Sequence, residues 1–357
     1  MGEILGLGLS HNPGLIGLDQ SMASILKRTL DRPDVPADRK DPATWPEPMR
    51  QEWGSDGGTA SAVKHREGFV SNLRKLRSAL DEFNPDFLVV WGDDQYENFH
   101  EDLIPAFCVY AFPDVDTQPL RTRATEVGRE APPNIWGEPH DKVFTIRTKP
   151  EAAKYLARDL IKQKIDVAYA YQTLHYKGLS HAFVRVPLYL DYDRKGFDYP
   201  MVPVTVNCYG SRVIAHHGGS SPVGKVLTEA DLDPPSPSPD RCMEFGAAIA
   251  RTFLNSPWRV AVVASSSWSH AFLTPKNDLL YPDVPGDRRL FETLRDANYD
   301  AMHKVTLAEI EDAGQQECLN WFCLAGAMEE LGRKPDHCEL IESYIFNSNK
   351  CFAIYKP

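Results

Sequence analysis

The chain has 357 residues, is 42% hydrophobic and 25% charged, and carries a formal net charge of -11, the make-up of a soluble globular protein large enough for one elaborated α/β domain. Its acidic balance argues against a nucleic-acid partner, which needs a basic surface to neutralise phosphates. No apolar run reaches the roughly 18 residues of a membrane span. The seven cysteines are scattered and form no Cys-x-x-Cys pair, so neither a disulfide framework nor a zinc ribbon is indicated. The N-terminus lacks a basic stretch followed by an apolar core and a cleavage site, and a cytoplasmic location is expected. A small molecule is the expected ligand, and a homo-oligomer is left open.

Residues 4–9 read as a strand that stops at Ser10-His11-Asn12-Pro13. From about 19 to 58 the chain turns polar and rich in Pro and Asp, as in a surface insertion that rims or covers a cleft. Thr59 is placed to cap a helix whose apolar positions Val63, Phe69, Leu73, Leu76 and Leu80 keep helical spacing up to Asn84-Pro85, with His65 on the buried face. Residues 87–91 form a buried strand, followed at once by the turn Gly92-Asp93-Asp94-Gln95. Helix, strand and polar turn recur at 151–162, 167–171 and 175–181, and 189–195 reads as a solvated turn. A further strand, 201–206, ends in Asn207-Cys208-Tyr209-Gly210. A second insertion follows at about 211–241, with His216-His217-Gly218-Gly219 and a Pro-rich segment. A helix over about 242–254 and a strand over 259–264 lead to Ser265-Ser266-Ser267-Trp268-Ser269-His270. The final third is helical around 291–313 and 317–331. This alternation implies an α/β fold: a mainly parallel central sheet with helices on both faces, plus two polar loop insertions, in a single domain over 1–357.

His11, His181 and His270 all stand where extended apolar runs break off. In open α/β sheets ligands bind beyond the carboxyl ends of the strands, where a side chain can enter a cleft from a rigid base. One such histidine is more often a satisfied loop residue; three at equivalent places point to metal or proton-transfer chemistry. A phosphate-cradling loop is not indicated, because His217-Gly218-Gly219-Ser220 lacks the required spacing.

A wider set of fragments runs through most of the chain. It comprises Ser10-His11-Asn12-Pro13, Pro85-Asp86 with the strand after it, Asp94-Gln95-Tyr96-Glu97-Asn98-Phe99 and Ile104-Pro105-Ala106-Phe107. Further on come Ser180-His181-Ala182-Phe183 with Val186-Pro187-Leu188, Val202-Pro203-Val204 with Asn207, Trp268-Ser269-His270, and Glu317-Cys318-Leu319-Asn320-Trp321 before Ala325-Gly326-Ala327. In order and spacing they resemble the class III extradiol ring-cleavage dioxygenases, whose minimal pattern lacks the two insertions. The resemblance implies a non-haem Fe(II) held by two histidines and one glutamate, with positions open for a catecholic substrate and dioxygen.

Carried over, the resemblance makes His11 the first ligand and Glu317 the carboxylate. The family's second ligand is the histidine of an Asp-His pair after the strand, and this chain has Asp94-Gln95 there. A glutamine amide is the weaker donor, so His65, whose helix starts at the active-site end of the sheet, competes with Gln95 for that position. His181 resembles an acid/base histidine of the family, and His270 a substrate-facing or hydrogen-bonding one. Asp94 reads as a carboxylate that orients a neighbour. Arg185, Arg212 and Tyr176 are candidate partners of a substrate carboxylate, while His175, His216 and His217 have no family counterpart and the last two read as surface loop. The implied function is an Fe(II)-dependent oxidoreductase, an extradiol dioxygenase of aromatic catabolism. The alternatives are a metal-dependent hydrolase or carbon-carbon lyase on the same scaffold, motivated by Gln95, and a non-catalytic binding relative, against which His11, His181 and Glu317 together argue.

Overall fold

The computed structural model describes residues 2–121, 132–176, 178–220, 222–225 and 227–357. Its strands are β1 (Glu3–Leu9), β2 (Phe87–Asp93), β3 (Phe107–Tyr110), β4 (Val115–Thr117), β5 (Phe144–Ile146), β6 (Ala168–Ala170), β7 (Met201–Val206), β8 (Arg259–Ser265), β9 (His337–Ile341) and β10 (Lys350–Tyr355). Eight of these form one sheet in the order β6-β3-β7-β2-β8-β1-β10-β9, and β4 pairs with β5 apart from it. The centre, β7-β2-β8-β1, is parallel throughout. Antiparallel pairs β3-β7, β1-β10 and β10-β9 flank it. The sheet is thus mixed, with a parallel centre buried on both faces, as near-continuous apolar strands require.

The helices are α1 (Ser24–Leu30), α2 (Glu47–Trp53), α3 (Thr59–Phe83), α4 (Pro150–Lys162), α5 (His181–Leu190), α6 (Pro239–Leu254), α7 (Val284–Arg295), α8 (Tyr299–Met302), α9 (Leu307–Asp312) and α10 (Leu319–Glu330). Strand alternation sends Leu5, Leu7, Leu88 and Val90 to one face, against Phe69, Leu73 and Leu76 of α3 and Phe183 and Val186 of α5. Ile4, Phe87, Val89 and Trp91 face the other way, onto Leu156 of α4, Phe245 and Ile249 of α6 and Trp321 and Leu324 of α10. This is the period of two that a two-sided sheet demands. Residues 19–58 add a third apolar cluster of their own, with Met22, Leu26, Val35, Trp45 and Met49 packed on Ile345 and Phe346. Among the described residues, no helix is long and apolar enough to cross a membrane.

Three local expectations change. Gly58, not Thr59, holds the N-cap of α3, and Val63 is exposed on that helix, because the buried stripe runs through Ala62, His65, Phe69 and Leu73. Residues 181–190 are helical even though Pro187 lies inside and removes one backbone donor. The stretch read as a solvated turn therefore begins inside α5, where Tyr189 and Leu190 are buried and the Tyr189 hydroxyl donates to the Asn12 carbonyl. The strands β3, β9 and β10 were not anticipated from the sequence.

α6 and α10 pack backbone to backbone. A methyl group on Gly246 would lie 1.8 Å from the Cys323 carbonyl oxygen, and one on Gly326 would lie 2.0 Å from that of Met243. Gly246→Ala is expected to cost about 3 kcal/mol, the upper range for overpacking a filled core. Chemical denaturation measures it, and an unchanged midpoint would mean that this helix pair can part without loss.

Candidate metal centre and cleft

β1, β2 and β8 are neighbours in register, with Leu9 opposite Ser265 and Gly92 opposite Ser265. Their carboxyl ends therefore deliver His11, Asp93 and Ser265 to one place. Glu317 arrives on the short turn before α10, and its backbone carbonyl accepts from Ser266 Oγ at 2.8 Å while Ser267 N–H donates to its Oε2 at 3.2 Å. His181 is the first residue of α5. One ligand atom from each of His11, Asp93, His181 and Glu317 lies within 4.8 Å of the others.

Hydrogen bonding fixes how these groups point. Ser265 Oγ donates to the Ala182 carbonyl at 2.6 Å, so toward His11 Nδ1, 3.1 Å away, it acts as acceptor. The His11 proton is thereby held on Nδ1, the usual orienting arrangement for a ligating imidazole. Its Nε2 presents a bare lone pair 3.3 Å from Glu317 Oε2 and 4.0 Å from Asp93 Oδ1. Burial holds the His11 pKa well below its ordinary value despite the nearby Asp93 carboxylate. Burial and the Glu317 charge push that of Asp93 up. Neither His11 Nε2 nor Asp93 Oδ1 has a hydrogen-bond partner among the described residues. A lone pair facing two buried carboxylates is repulsive unless a cation lies between them, so these donors fit a divalent metal ion.

His181 differs from the other three. Its Nδ1 lies 2.9 Å from Glu97 Oε2, and its Nε2 faces Asp93 Oδ2 at 3.6 Å. Burial disfavours its charge, but Glu97 and Asp93 outweigh that and the pKa is pushed up to about 9. It is also the most open member, with its side chain 18% exposed against 2% or less for the others.

His270 Nε2 lies 3.3 Å from Glu317 Oε1, and burial lowers its pKa to about 4. Asp94 turns away from the cluster and accepts from the backbone N–H groups of Glu97 and Asn98 at 2.8 and 3.0 Å, which shapes the loop carrying Glu97. Gln95 lines the cleft, but its amide nitrogen donates to the Gly218 carbonyl. His65 lies apart from the cluster, its ring buried 4.9 Å from that of Phe346 and 6.4 Å from that of Phe69. Burial, Lys350 and Arg66 hold it neutral.

The cluster forms the floor of a cleft of about 610 Å³. Both insertions reach it, with Ile25, Arg28, Thr29 and Arg32 from the first and Gly218 to Ser220 from the second. They join each other through Arg32 to Ser220 at 2.9 Å and Val223 N–H to Asp34 at 2.9 Å. Arg185 also lines the cleft, its guanidinium donating to the His11 carbonyl at 3.0 Å. Arg212 pairs instead with Glu311 and borders a neighbouring cavity, and Tyr176, largely exposed, lies outside the cleft lining. At the rim, His217, Tyr96, His100 and His175 stack ring on ring at 4.1 to 4.4 Å, tying together the loops that follow β2, β6 and β7.

Sequence reading missed Asp93, Glu97 and Tyr209. The Tyr209 hydroxyl bonds to Glu317 Oε1 and lies 3.3 Å from Asp93 Oδ2. In the sequence the apolar run stops at Trp91, and only the structure shows the strand continuing to Asp93.

A cluster of imidazoles and carboxylates at the carboxyl ends of parallel strands, under an open cleft, is the architecture of a metal-centred α/β enzyme. Comparison with known proteins narrows the class. Residues 221–353 match the family described as the catalytic LigB subunit of aromatic ring-opening dioxygenase. It is 25% identical over 199 residues to 2,3-dihydroxyphenylpropionate/2,3-dihydroxicinnamic acid 1,2-dioxygenase 2 of Pseudomonas putida, covering 56% of this chain and 48% of that one. The corresponding enzyme of Photorhabdus laumondii is 23% identical over 217 residues, covering 59% and 51%. That of Comamonas testosteroni is 22% identical over 242 residues, covering 68% and 60%. The chain thus spans about half the length of the first two relatives. A solved structure of an uncharacterized protein from Escherichia coli K12 aligns with TM-score 0.42 at 13% identity, over 81% of this chain and 92% of that one.

Proposed function

We propose that the chain is a non-haem Fe(II)-dependent extradiol dioxygenase that opens the ring of a catechol-type aromatic. The observation that carries this reading is the bare His11 Nε2 facing the buried carboxylates of Asp93 and Glu317 at the floor of the cleft. His11 Nε2, Asp93 Oδ1 and Glu317 Oε2 would hold the metal. Bound there, Fe(II) would supply Lewis acidity toward a catechol and redox chemistry toward dioxygen. His181 exchanges a proton at Nε2 with the bound substrate, as the acid from its protonated form and as the base once it has given that proton up, while Glu97 on Nδ1 holds the ring in place. The insertions wall the substrate from solvent, and Arg28 and Arg185 favour a ring that bears an anionic substituent.

The test is oxygen uptake with a panel of catechols on anaerobically purified protein. About one iron per chain, O2 consumption and a yellow ring-opened product are expected. Stoichiometric zinc with no uptake across the panel would overturn the reading. The second reading, a metal-dependent hydrolase or lyase, draws on the two carboxylates of the cluster and on Gln95 at the family's histidine position; turnover under strict anaerobiosis would favour it.

A further inference from the structure

We propose that Tyr209 is a positioning residue that sets how the Glu317 carboxylate presents itself to the metal, through one oxygen only. The inference rests on the metal-centre reading above and goes beyond it, because it assigns the coordination geometry to a residue that touches no substrate.

Tyr209 stands three residues past the end of β7, next to β2 in the sheet. Its ring is 1% exposed and belongs to the core beneath the site, so the hydroxyl is held rather than free to swing. That hydroxyl lies between the two carboxylates, bonded to Glu317 Oε1 and 3.3 Å from Asp93 Oδ2. Both of these are the oxygens on the far side from His11. Glu317 Oε1 is further engaged by His270 Nε2 at 3.3 Å, and Asp93 Oδ2 has His181 Nε2 at 3.6 Å. The near-side oxygens, Asp93 Oδ1 and Glu317 Oε2, are those that face His11 Nε2.

The single phenol proton thus goes to the outer oxygen of Glu317, with Asp93 Oδ2 beside the hydroxyl, and leaves Glu317 Oε2 aimed at the shared space. Two consequences follow from ordinary coordination chemistry. A carboxylate whose second oxygen is engaged elsewhere binds through a single atom, which keeps its orientation fixed. Singly bound carboxylates beside one imidazole would leave a divalent ion with positions for exogenous ligands. Without the phenol, Glu317 Oε1 keeps only the 3.3 Å contact with His270 and turns more easily toward chelation, closing a position that a co-substrate needs.

Tyr209→Phe isolates the hydroxyl, because the ring that fills the core is retained. The metal-depleted full-length protein is titrated with Co(II) alone and followed by visible absorption. The variant is expected to bind Co(II) about 10–100-fold more weakly, the usual cost of removing an outer partner of a metal ligand, with a changed ligand-field spectrum. Tyr355→Phe is the control, since the Tyr355 hydroxyl is equally buried and has no hydrogen-bond partner among the described residues; its Co(II) affinity should match wild type. Equal affinity and spectrum in Tyr209→Phe and wild type would overturn the proposal while leaving the metal centre standing. Failure of the wild type itself to bind Co(II) would instead remove the centre and this inference with it. X-ray absorption of Co(II)-loaded wild type gives a check independent of any variant: singly bound carboxylates are expected, and a chelating carboxylate overturns the assignment.

Discussion

Asp93→Ala is expected to empty the metal centre, weakening metal binding more than about 100-fold, beyond the usual cost of losing an outer partner. His65→Ala and Gln95→Ala are expected to keep the metal. The reasoning is geometric. Asp93 ends β2 with Oδ1 pointing at the bare His11 Nε2, whereas His65 packs against Phe346 and the Gln95 amide is engaged by Gly218. The metal-free protein supplies a second readout of opposite sign. There Asp93 and Glu317 crowd one buried space with the His181 imidazolium as the facing cation, 3.6 Å from Asp93 Oδ2, and removing one of the two like charges relieves desolvation and repulsion. Asp93→Asn should therefore melt higher than wild type when both are metal-free and lose that advantage when both are loaded. Metal analysis and paired melting curves check both halves. Full metal content in Asp93→Ala together with its loss in Gln95→Ala would return the third position to the residue that replaces the family's histidine.

Why Asp93 was not read from the sequence is instructive. The parallel core was legible because β1, β2, β7 and β8 are apolar runs with polar stops, and the helices between them keep their spacing. At the end of β2 the apolar run stops at Trp91, so Asp93 and Asp94 look like two residues of one turn. The strand in fact continues to Asp93, and its alternation places Asp93 on the face of Phe87, Val89 and Trp91, while Asp94 folds back to accept from its own loop. Adjacent identical residues thus have unrelated roles, which composition cannot separate. β9 was missed for another reason: every residue of it is only half-buried, so no apolar run announces it. His65 was attractive because its helix starts at the right end of the sheet, but its place on the buried stripe with Phe69 sends it into packing. Pairings such as Glu97 with His181, 84 residues apart, have no local signature at all; only the closing of the sheet brings their loops together.

His181→Ala is expected to lower turnover by roughly 100-fold to 10,000-fold, the range for loss of a general acid/base, while leaving the metal in place. The separation of effects follows from where the ring sits. Its Nδ1 is committed to Glu97 and its Nε2 opens toward both the cleft and Asp93, so it can exchange a proton with a bound hydroxyl, and His11, Asp93 and Glu317 remain to hold the ion. Glu97→Gln supplies the finer test. Burial opposes charge on His181 and the Glu97 carboxylate outweighs it; an amide in its place removes the raising influence, so the His181 pKa must fall. The limb of the pH-rate profile that reports His181 should therefore move to lower pH in Glu97→Gln, with a smaller loss of turnover than in His181→Ala. The profile of kcat/KM on the free enzyme is the measurement, taken with metal content on the same samples. If His181→Ala loses the metal along with its activity, His181 is a ligand rather than the proton carrier, and if Glu97→Gln leaves the limb where it was, the proton moves through another group.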